Sequence, residues 1–224
     1  MKLSDFAGAR RVSLVGRHRY LENARQYLRQ GGAHLLYLEG DGGIGKTALL
    51  ETIMERSRHE GEDRVRYTGC VADEIVDLYH VDVHTPEGLI RKIVQVLGAA
   101  AFRGTQKLLN TLDWARSVGD IDTVSEEPRT LYDAFLTEFG LLARHGVVLA
   151  FDTLEVLEYE HDPFQSELGA EAPILSTGEW LFEAFLPAVQ GNVLLLLAGR
   201  PTVLRSRLDR FRGRKPPVRV HYAR

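Results

Sequence analysis

Residues 40–47 of the chain read Gly40-Asp41-Gly42-Gly43-Ile44-Gly45-Lys46-Thr47. This stretch matches the pattern G-x-x-x-x-G-K-[ST], which requires a strand before it and a helix after it. The apolar run Leu35–Leu38 precedes the stretch, and the helix-forming segment Ala48–Met54 follows it. In this setting the pattern predicts a loop that binds the phosphates of a nucleotide.

The residue types of the loop explain the chemistry. Glycines let successive backbone N–H groups turn towards an anion with no Cβ in the way. The helix that starts near Gly45 adds its positive end, Lys46 can reach the β- and γ-phosphates, and the Thr47 hydroxyl can hold Mg²⁺. The predicted nucleotide contacts within the loop are Asp41, Gly42, Gly43, Ile44, Gly45, Lys46, Thr47 and Ala48.

Length and composition indicate an ordinary globular chain. It has 224 residues, 44% of them hydrophobic, and a net charge of -3, which gives no global reason to expect a nucleic-acid or membrane partner. The single cysteine, Cys70, excludes an internal disulfide and fits a reducing compartment. No apolar run reaches the roughly 18 residues of a membrane span, and the N-terminus lacks the apolar core of a signal peptide. We therefore expect a cytoplasmic protein with one nucleotide-binding domain over residues 1–224.

Apolar runs alternate with helical patterns along the chain. Strands that are apolar throughout and alternate with helices indicate a parallel sheet covered on both faces. The sequence therefore predicts an α/β fold of three layers, with a five-stranded, mainly parallel sheet and helices on both faces. The extended candidates are His34–Glu39, Val65–Cys70, Ile75–Val83, Val147–Asp152, Val193–Ala198 and Val218–Tyr222.

The helical segments are predicted from spacing and capping residues. Thr85 and Pro86 are typical of the start of a helix. The polar stretch Gly119–Pro128 and the acidic stretch at 158–178 are predicted to be loops. The first predicted helix carries Leu21, Ala24, Tyr27 and Leu28 on one face and stops at Gly31-Gly32. The other predicted helices are Thr47–His59, Pro86–Leu97, Thr105–Arg116, Arg129–His145, Glu179–Gln190 and Thr202–Phe211.

Asp152 ends the apolar run Val147–Asp152, about a hundred residues after the phosphate loop. A carboxylate at a strand tip is the group expected to hold Mg²⁺ together with Thr47. At least one strand and one helix lie between the loop and Asp152. This spacing favours the additional-strand (ASCE) class of P-loop ATPases over the kinase–GTPase class.

Two further residues are candidates for the site. ATP hydrolysis needs an acid that activates water, and many members of the additional-strand class have one directly after the aspartate. Thr153 occupies that position here, so Glu155 is the candidate base, against the alternative of a solvated or capping acid. Arg200 follows the strand Val193–Ala198 and is a candidate sensor of the γ-phosphate, against a surface arginine before a proline turn. With Lys46 and Asp152, these two complete the predicted catalytic set.

Several stretches together resemble the nucleotide-binding domain of STAND-type signal-transduction ATPases, which are relatives of the AAA+ class and include NACHT-like switches. A Gly-Arg pair before the first strand, here Gly16-Arg17, is the second independent match to that family after the phosphate loop. In this interpretation Gly16 and Arg17 line the adenine and ribose side of the nucleotide. The resemblance covers about residues 12–222; its matching stretches are 15–21, 40–47, 147–152 and 194–201.

The resemblance implies a switch that rests with ADP, exchanges it for ATP and then self-associates to activate an effector. It also implies that a helical lid, a winged-helix domain and a sensor would follow Arg224. Because Thr153 replaces the usual acid, we expect slow Mg²⁺-dependent hydrolysis.

Two other functions remain open. A second hypothesis is a DNA loader or motor of the AAA+ type, in which the basic residues between Arg205 and Arg219 contact DNA. We favour the interpretation that this basic cluster forms a surface in contact with another domain or subunit. A small-molecule kinase is the third hypothesis, which no acceptor-binding motif supports.

Overall fold

The structure is a computed structural model that describes residues 17–58, 69–158, 176–201, 204–209 and 219–223. Its first helices and strands lie on either side of the phosphate loop. They are helix α1 (His18–Gln30), strand β1 (Ala33–Glu39) and helix α2 (Lys46–Arg58). The loop predicted from the sequence therefore connects a strand to a helix, as its pattern requires.

Two short strands and three long helices form the middle of the chain. The strands are β2 (Cys70–Val71) and β3 (Val76–Asp77). The helices are α3 (Pro86–Leu97), α4 (Arg103–Val118) and α5 (Ile121–Ala143). Short 3₁₀ turns at Val81–Val83 and Ala99–Ala101 lie before and after α3.

The last part of the chain adds three strands and two helices. Strand β4 (Val147–Asp152) leads into a 3₁₀ turn, Leu154–Glu158. Helix α6 covers residues 177–188, with a π-helical segment at Trp180–Phe185. Strand β5 (Val193–Gly199), a short helix (Leu204–Asp209) and strand β6 (Arg219–Ala223) complete the described elements.

All pairs of neighbouring strands in the sheet are parallel, in the order β2-β4-β5-β1-β6. Strand β3 also pairs with β4, beyond the point where β2 ends. The sheet therefore has six strands in five positions, because β2 and β3 share one edge of β4. Strand β5 lies between β1 and β4, which is the additional-strand arrangement predicted from the sequence.

Strands β4 and β5 are buried along their whole length. Successive side chains of a strand point to opposite faces, so burial at every position means that both faces are covered. The central strands β5 and β1 pair over seven positions, from Ala33 with Val193 to Glu39 with Gly199. The α/β fold predicted from the sequence is confirmed.

An aromatic cluster joins the helices on one side of the core. The ring of Phe135 on α5 lies 5.7 Å from those of Phe102 and Trp180, and 5.9 Å from those of Phe139 and Phe185. All five side chains are buried. Truncation of such a side chain to alanine typically lowers the free energy of unfolding by about 3–5 kcal/mol. The cluster therefore fixes α5 and α6 against each other.

Helix α4 is capped by a side chain from its neighbour. Its own N-cap residue, Phe102, supplies no side-chain hydrogen bond. Glu138 of α5 accepts hydrogen bonds from the backbone N–H groups of Gly104 (2.8 Å) and Thr105 (3.0 Å), and from the Thr105 hydroxyl (2.7 Å). These N–H groups have no partner inside the helix, and a carboxylate also suits the positive end of the helix.

The prediction of a loop at Gly119–Pro128 is wrong. Helix α5 begins at Ile121 and contains Pro128. The Asp120 carboxylate accepts a 3.2 Å hydrogen bond from the Thr123 backbone N–H and caps the helix start. Composition suggested a loop because acids and a proline are concentrated there. The local cap and the packing of the rest of α5 outweigh that preference.

Other boundaries shift by a few residues, or lie outside the described part of the chain. The extended prediction Ile75–Val83 is a strand only at Val76–Asp77 and turns into the 3₁₀ segment Val81–Val83. Most of the predicted strand Val65–Cys70 and most of the acidic stretch at 158–178 lie outside the described residues. Among the described helices, none is both long enough and apolar enough to cross a membrane.

Candidate functional site

The phosphate loop joins the end of β1 to the start of α2. Gly43 and Gly45 have φ values of 80° and 81°, which residues with a Cβ rarely adopt. A Cβ added at Gly43 would meet no atom within 4 Å. The backbone conformation, and not crowding, therefore explains the glycine at this position.

The Lys46 side chain folds back over the loop. Its Nζ donates hydrogen bonds to the carbonyl oxygens of Gly40 (2.7 Å) and Asp41 (2.9 Å). Lys46 is also the first residue of α2. Its ammonium group and the N–H groups of the first helical turn therefore lie at one end of the loop, where an anion is favoured.

The strand order brings the other predicted polar residues to the same edge of the sheet. Tyr37 and Phe151 are both in register with Leu197, so β1, β4 and β5 end at similar levels. The backbone N–H of Gly40 donates a 3.2 Å hydrogen bond to the carbonyl of Gly199. Asp152 and Arg200 follow directly at the carboxyl ends of β4 and β5, where ligands bind in open parallel sheets.

Asp152 and the phosphate loop are in direct contact. The Thr47 hydroxyl donates a 2.5 Å hydrogen bond to Oδ2 of Asp152, whose side chain is buried. The backbone N–H of Thr153 donates to the other oxygen, Oδ1, at 2.8 Å. Hard oxygen donors of this kind fit Mg²⁺, which is commonly held by one or two protein groups together with phosphates. Among the described residues, no group of three His, Cys, Asp or Glu side chains could form an all-protein metal site.

Arg200 and Glu155 form an ion pair at this edge. The Arg200 Nε lies 3.3 Å from Glu155 Oε1, and the Arg200 backbone N–H donates a 3.0 Å hydrogen bond to Oε2. The Tyr37 hydroxyl donates to the Arg200 carbonyl at 3.0 Å. A Cβ added at Gly42 would lie 3.4 Å from Arg200 Nη2, so the guanidinium lies directly beside the phosphate loop.

Arg17 also reaches the loop. Its guanidinium donates a hydrogen bond to the Gly45 carbonyl, just before α2 begins. A Cβ at Gly45 would lie 3.2 Å from Arg17 Nη1. Gly16, its predicted companion, lies outside the described residues. The structure thus brings Arg17, Lys46, Thr47, Asp152 and Arg200 to one place.

The sequence-based prediction missed Asp77 at this edge and gave Thr153 no contact of its own. Thr153 has a φ of 61°, the only positive φ at a non-glycine residue in the described chain. Its hydroxyl donates a 2.7 Å hydrogen bond to Oδ1 of Asp77, at the end of β3. Asp77 belongs to no motif, and the only sequence signal was its place in the extended candidate Ile75–Val83.

A family model of the AAA ATPase domain matches residues 13–195 of the chain. The match includes the phosphate loop, β4 with Asp152, and the first part of β5. No curated protein matches the chain.

Proposed function

Because the chain belongs to the AAA ATPase domain family, and is thus a P-loop nucleotide-binding domain, we propose that it acts as a STAND-type switch. In this proposal it binds ADP or ATP with Mg²⁺, hydrolyses ATP slowly, and self-associates according to the nucleotide that it holds. The single observation that carries the proposal is the contact between Thr47 and Asp152, which unites the phosphate loop with the carboxylate of β4.

Each residue of the loop has a role in nucleotide binding. When a nucleotide binds, the Lys46 ammonium group would leave the carbonyl oxygens of Gly40 and Asp41 and bind the β- and γ-phosphates. The backbone of residues 41–48 would surround the phosphates, and the Gly16-Arg17 pair would line the adenine and ribose side. Thr47 and Asp152 hold Mg²⁺, which would neutralise charge on the phosphates.

The ion pair between Glu155 and Arg200 supports the switch. Arg200 lies beside Gly42, and Glu155 holds its guanidinium there. ATP would then draw Arg200 away from Glu155, whereas ADP would not. The assignment of Glu155 as the base that activates water stays a prediction, and it requires that this ion pair open.

The STAND-type interpretation also predicts the partners of the domain. The domain would work with sensor or effector segments of a longer protein, in the cytoplasm, and through contacts between copies.

A DNA loader is the alternative function. Two residues of the basic cluster that would contact DNA can be located. Arg207 lies over the ring of Phe182, at 5.8 Å from the centroid, and Arg219 belongs to β6. DNA-stimulated hydrolysis that falls steeply with salt would favour the loader over the switch.

Nucleotide affinity tests the proposal. Titration of a fluorescent ADP or ATP analogue, with Mg²⁺ present, should give saturable binding to the wild-type chain. Lys46→Ala should weaken binding by roughly 10- to 100-fold, because hydrogen bonds to charged groups contribute about 1.5–3 kcal/mol each. The matched control is Lys107→Ala, at an exposed lysine of α4.

Two results would contradict the proposal. One is a wild-type chain that binds neither nucleotide. The other is a Lys46→Ala variant whose affinity equals that of the wild type and of Lys107→Ala.

A further inference from the structure

Asp77 lies beside Asp152 at the carboxyl edge of the sheet. Strand β3 pairs with β4 in parallel, with Val76 opposite Phe151 and Asp77 opposite Asp152. Neighbouring strands are about 4.8 Å apart. The two residues therefore stand side by side at one edge of the sheet, where Asp152 contacts Thr47 of the phosphate loop.

Two hydrogen bonds fix the orientation of the Asp77 side chain. Its Oδ1 accepts from the Thr153 hydroxyl at 2.7 Å and from the Tyr79 backbone N–H at 3.0 Å. The side chain is half-buried. Its Oδ2 accepts no hydrogen bond from any residue in the described ranges. One oxygen is thus held by the protein, and the other can accept a hydrogen bond from water.

A continuous chain of hydrogen bonds connects Asp77 to the phosphate loop. Thr47 donates to Asp152 (2.5 Å), the Thr153 N–H donates to Asp152 (2.8 Å), and the Thr153 hydroxyl donates to Asp77 (2.7 Å). Thr153 reaches both carboxylates because its φ is 61°. This conformation is uncommon for a β-branched residue and persists where surrounding contacts maintain it.

Thr153 occupies the position at which many ATPases of this class have their second acid. Its hydroxyl cannot serve as a base at neutral pH, but it holds a carboxylate that can. The other nearby acid, Glu155, uses both oxygens to bind Arg200. Asp77 is therefore a carboxylate at this edge with one oxygen already oriented and one available.

We propose that Asp77 orients the water that attacks ATP and accepts its proton, and that Thr153 is the positioning residue for Asp77. This inference rests on the proposed function. The water oxygen forms a bond to the γ-phosphorus, and the bond from that phosphorus to the β–γ bridging oxygen breaks, with its electron pair leaving on ADP. The water proton passes to Oδ2 of Asp77 and then to solvent, so the products are ADP, phosphate and a proton.

Single-turnover hydrolysis of pre-bound ATP by the full chain tests the inference. Asp77→Asn keeps the oxygen that Thr153 binds and replaces the other by an amide, so it should slow the chemical step about 100-fold, as expected for loss of a general base. ATP affinity should stay within about twofold of the wild type. Thr153→Ala should slow hydrolysis about 10-fold, whereas Thr153→Ser, which keeps the hydroxyl, should restore it.

A second measurement does not depend on the rate of hydrolysis. ADP with aluminium fluoride mimics the state in which water attacks, and ADP with beryllium fluoride mimics bound ATP. Asp77→Asn should weaken binding of the aluminium fluoride complex about 10-fold or more, and leave binding of the beryllium fluoride complex unchanged. Asp82→Asn, at an exposed acid of the following 3₁₀ turn, is the matched control and should behave as wild type.

The outcomes separate this inference from the proposed function. If the wild type binds ATP, and Asp77→Asn hydrolyses it and binds both fluoride complexes as the wild type does, the inference is wrong and the switch stands. Loss of hydrolysis in Glu155→Gln but not in Asp77→Asn would also overturn it. Loss of ATP affinity in Asp77→Asn would assign Asp77 to nucleotide binding instead. A wild type that binds no nucleotide would remove the proposed function itself.

Discussion

The hydroxyl of Thr47 and the carboxylate of Asp152 are 2.5 Å apart, although 105 positions separate the two residues in the chain. Thr47 lies in the first turn of α2, and Asp152 ends β4, which is two strands away from β1 in the sheet. Strand β5 lies between β1 and β4.

Thr47→Val removes the hydroxyl but keeps the shape of the side chain. If Thr47 and Asp152 hold one Mg²⁺, the variant should bind ATP about 10-fold more weakly than the wild type in the presence of Mg²⁺, because it loses most of the affinity that Mg²⁺ adds. In EDTA, its ATP affinity should equal that of the wild type. Thr47→Val and Asp152→Asn should be non-additive in a double-mutant cycle, because they affect the same ion. Thr52→Val, further along α2, is the control. An unchanged Mg²⁺ dependence in Thr47→Val would contradict the assignment.

Arg200→Ala should reduce the preference for ATP over ADP about 10-fold without a change in stability. The arginine side chain is 64% exposed, and an exposed ion pair contributes only about 0–1 kcal/mol to folding. Competition titrations with the two nucleotides give the preference, and thermal unfolding gives the stability. Arg129→Ala, at an exposed position of α5, should change neither. A variant that still distinguishes ATP from ADP as the wild type does would exclude Arg200 as the γ-phosphate sensor.

Glu138→Gln should destabilise the chain and weaken its response to acid. Burial raises the pKa of Glu138, but hydrogen bonds from Thr105 and Gly104 outweigh burial, so the net pKa is lowered. A carboxylate with a lowered pKa stabilises the fold above its unfolded pKa of about 4.3, and this contribution disappears as the pH falls through the folded pKa. We expect the variant to be about 1–2 kcal/mol less stable at pH 7, and nearer to wild type at pH 3.

Urea unfolding at the two pH values measures this effect. Asp133→Asn, an exposed acid on the same helix, is the control and should leave the difference between the pH values unchanged. Equal destabilisation by Glu138→Gln at both pH values would show that the cap acts without its charge.

His34 should make stability fall as the pH drops below 7. Burial lowers its pKa, the hydrogen bond with the Gly31 carbonyl opposes this, and Arg219 lowers it further. The folded state thus favours neutral His34. This contribution is complete above the unfolded pKa of about 6.5 and disappears as the pH falls towards the lowered folded pKa.

Replacement by phenylalanine tests the titration of His34. His34 stacks on Tyr27, at 4.9 Å between ring centroids, and its Nδ1 lies 3.2 Å from Nε2 of His221. His34→Phe keeps a ring in the stack and should flatten the fall in unfolding free energy between pH 7.5 and 5, measured by urea unfolding. His18→Gln, at an exposed histidine of α1, is the control and should keep the wild-type slope. A fall that His34→Phe leaves unchanged would exclude His34 as its source.

Much of the fold was predictable because its signals are local. The phosphate loop needs particular residues at fixed spacing, and Val147–Asp152 and Val193–Ala198 are apolar at every position, as buried parallel strands require. The failure at Gly119–Pro128 has a local cause too. Asp120 and Pro128 resemble loop residues in composition, but the carboxylate of Asp120 caps a helix whose stability comes from the packing of residues further along α5.

The candidate site was predictable only in part. Lys46, Thr47 and Asp152 belong to sequence patterns that indicate their chemical roles, whereas Asp77 belongs to no such pattern. Glu155 was predicted from its nearness to Asp152 in sequence, but its carboxylate faces Arg200 across the end of β5. Distance along the chain was therefore a poor guide to which acid has a free oxygen.

Local patterns were enough to predict the glycines with positive φ, the lysine and threonine that follow them, and an aspartate at the tip of an apolar strand. Tertiary packing was needed to establish which strands lie side by side, and hence that Asp77 stands opposite Asp152 and is held by Thr153. This is because strand order and register are set by burial of both faces of the sheet. Burial of the sheet depends on contacts between residues that are far apart in the chain, so no local sequence pattern predicts it.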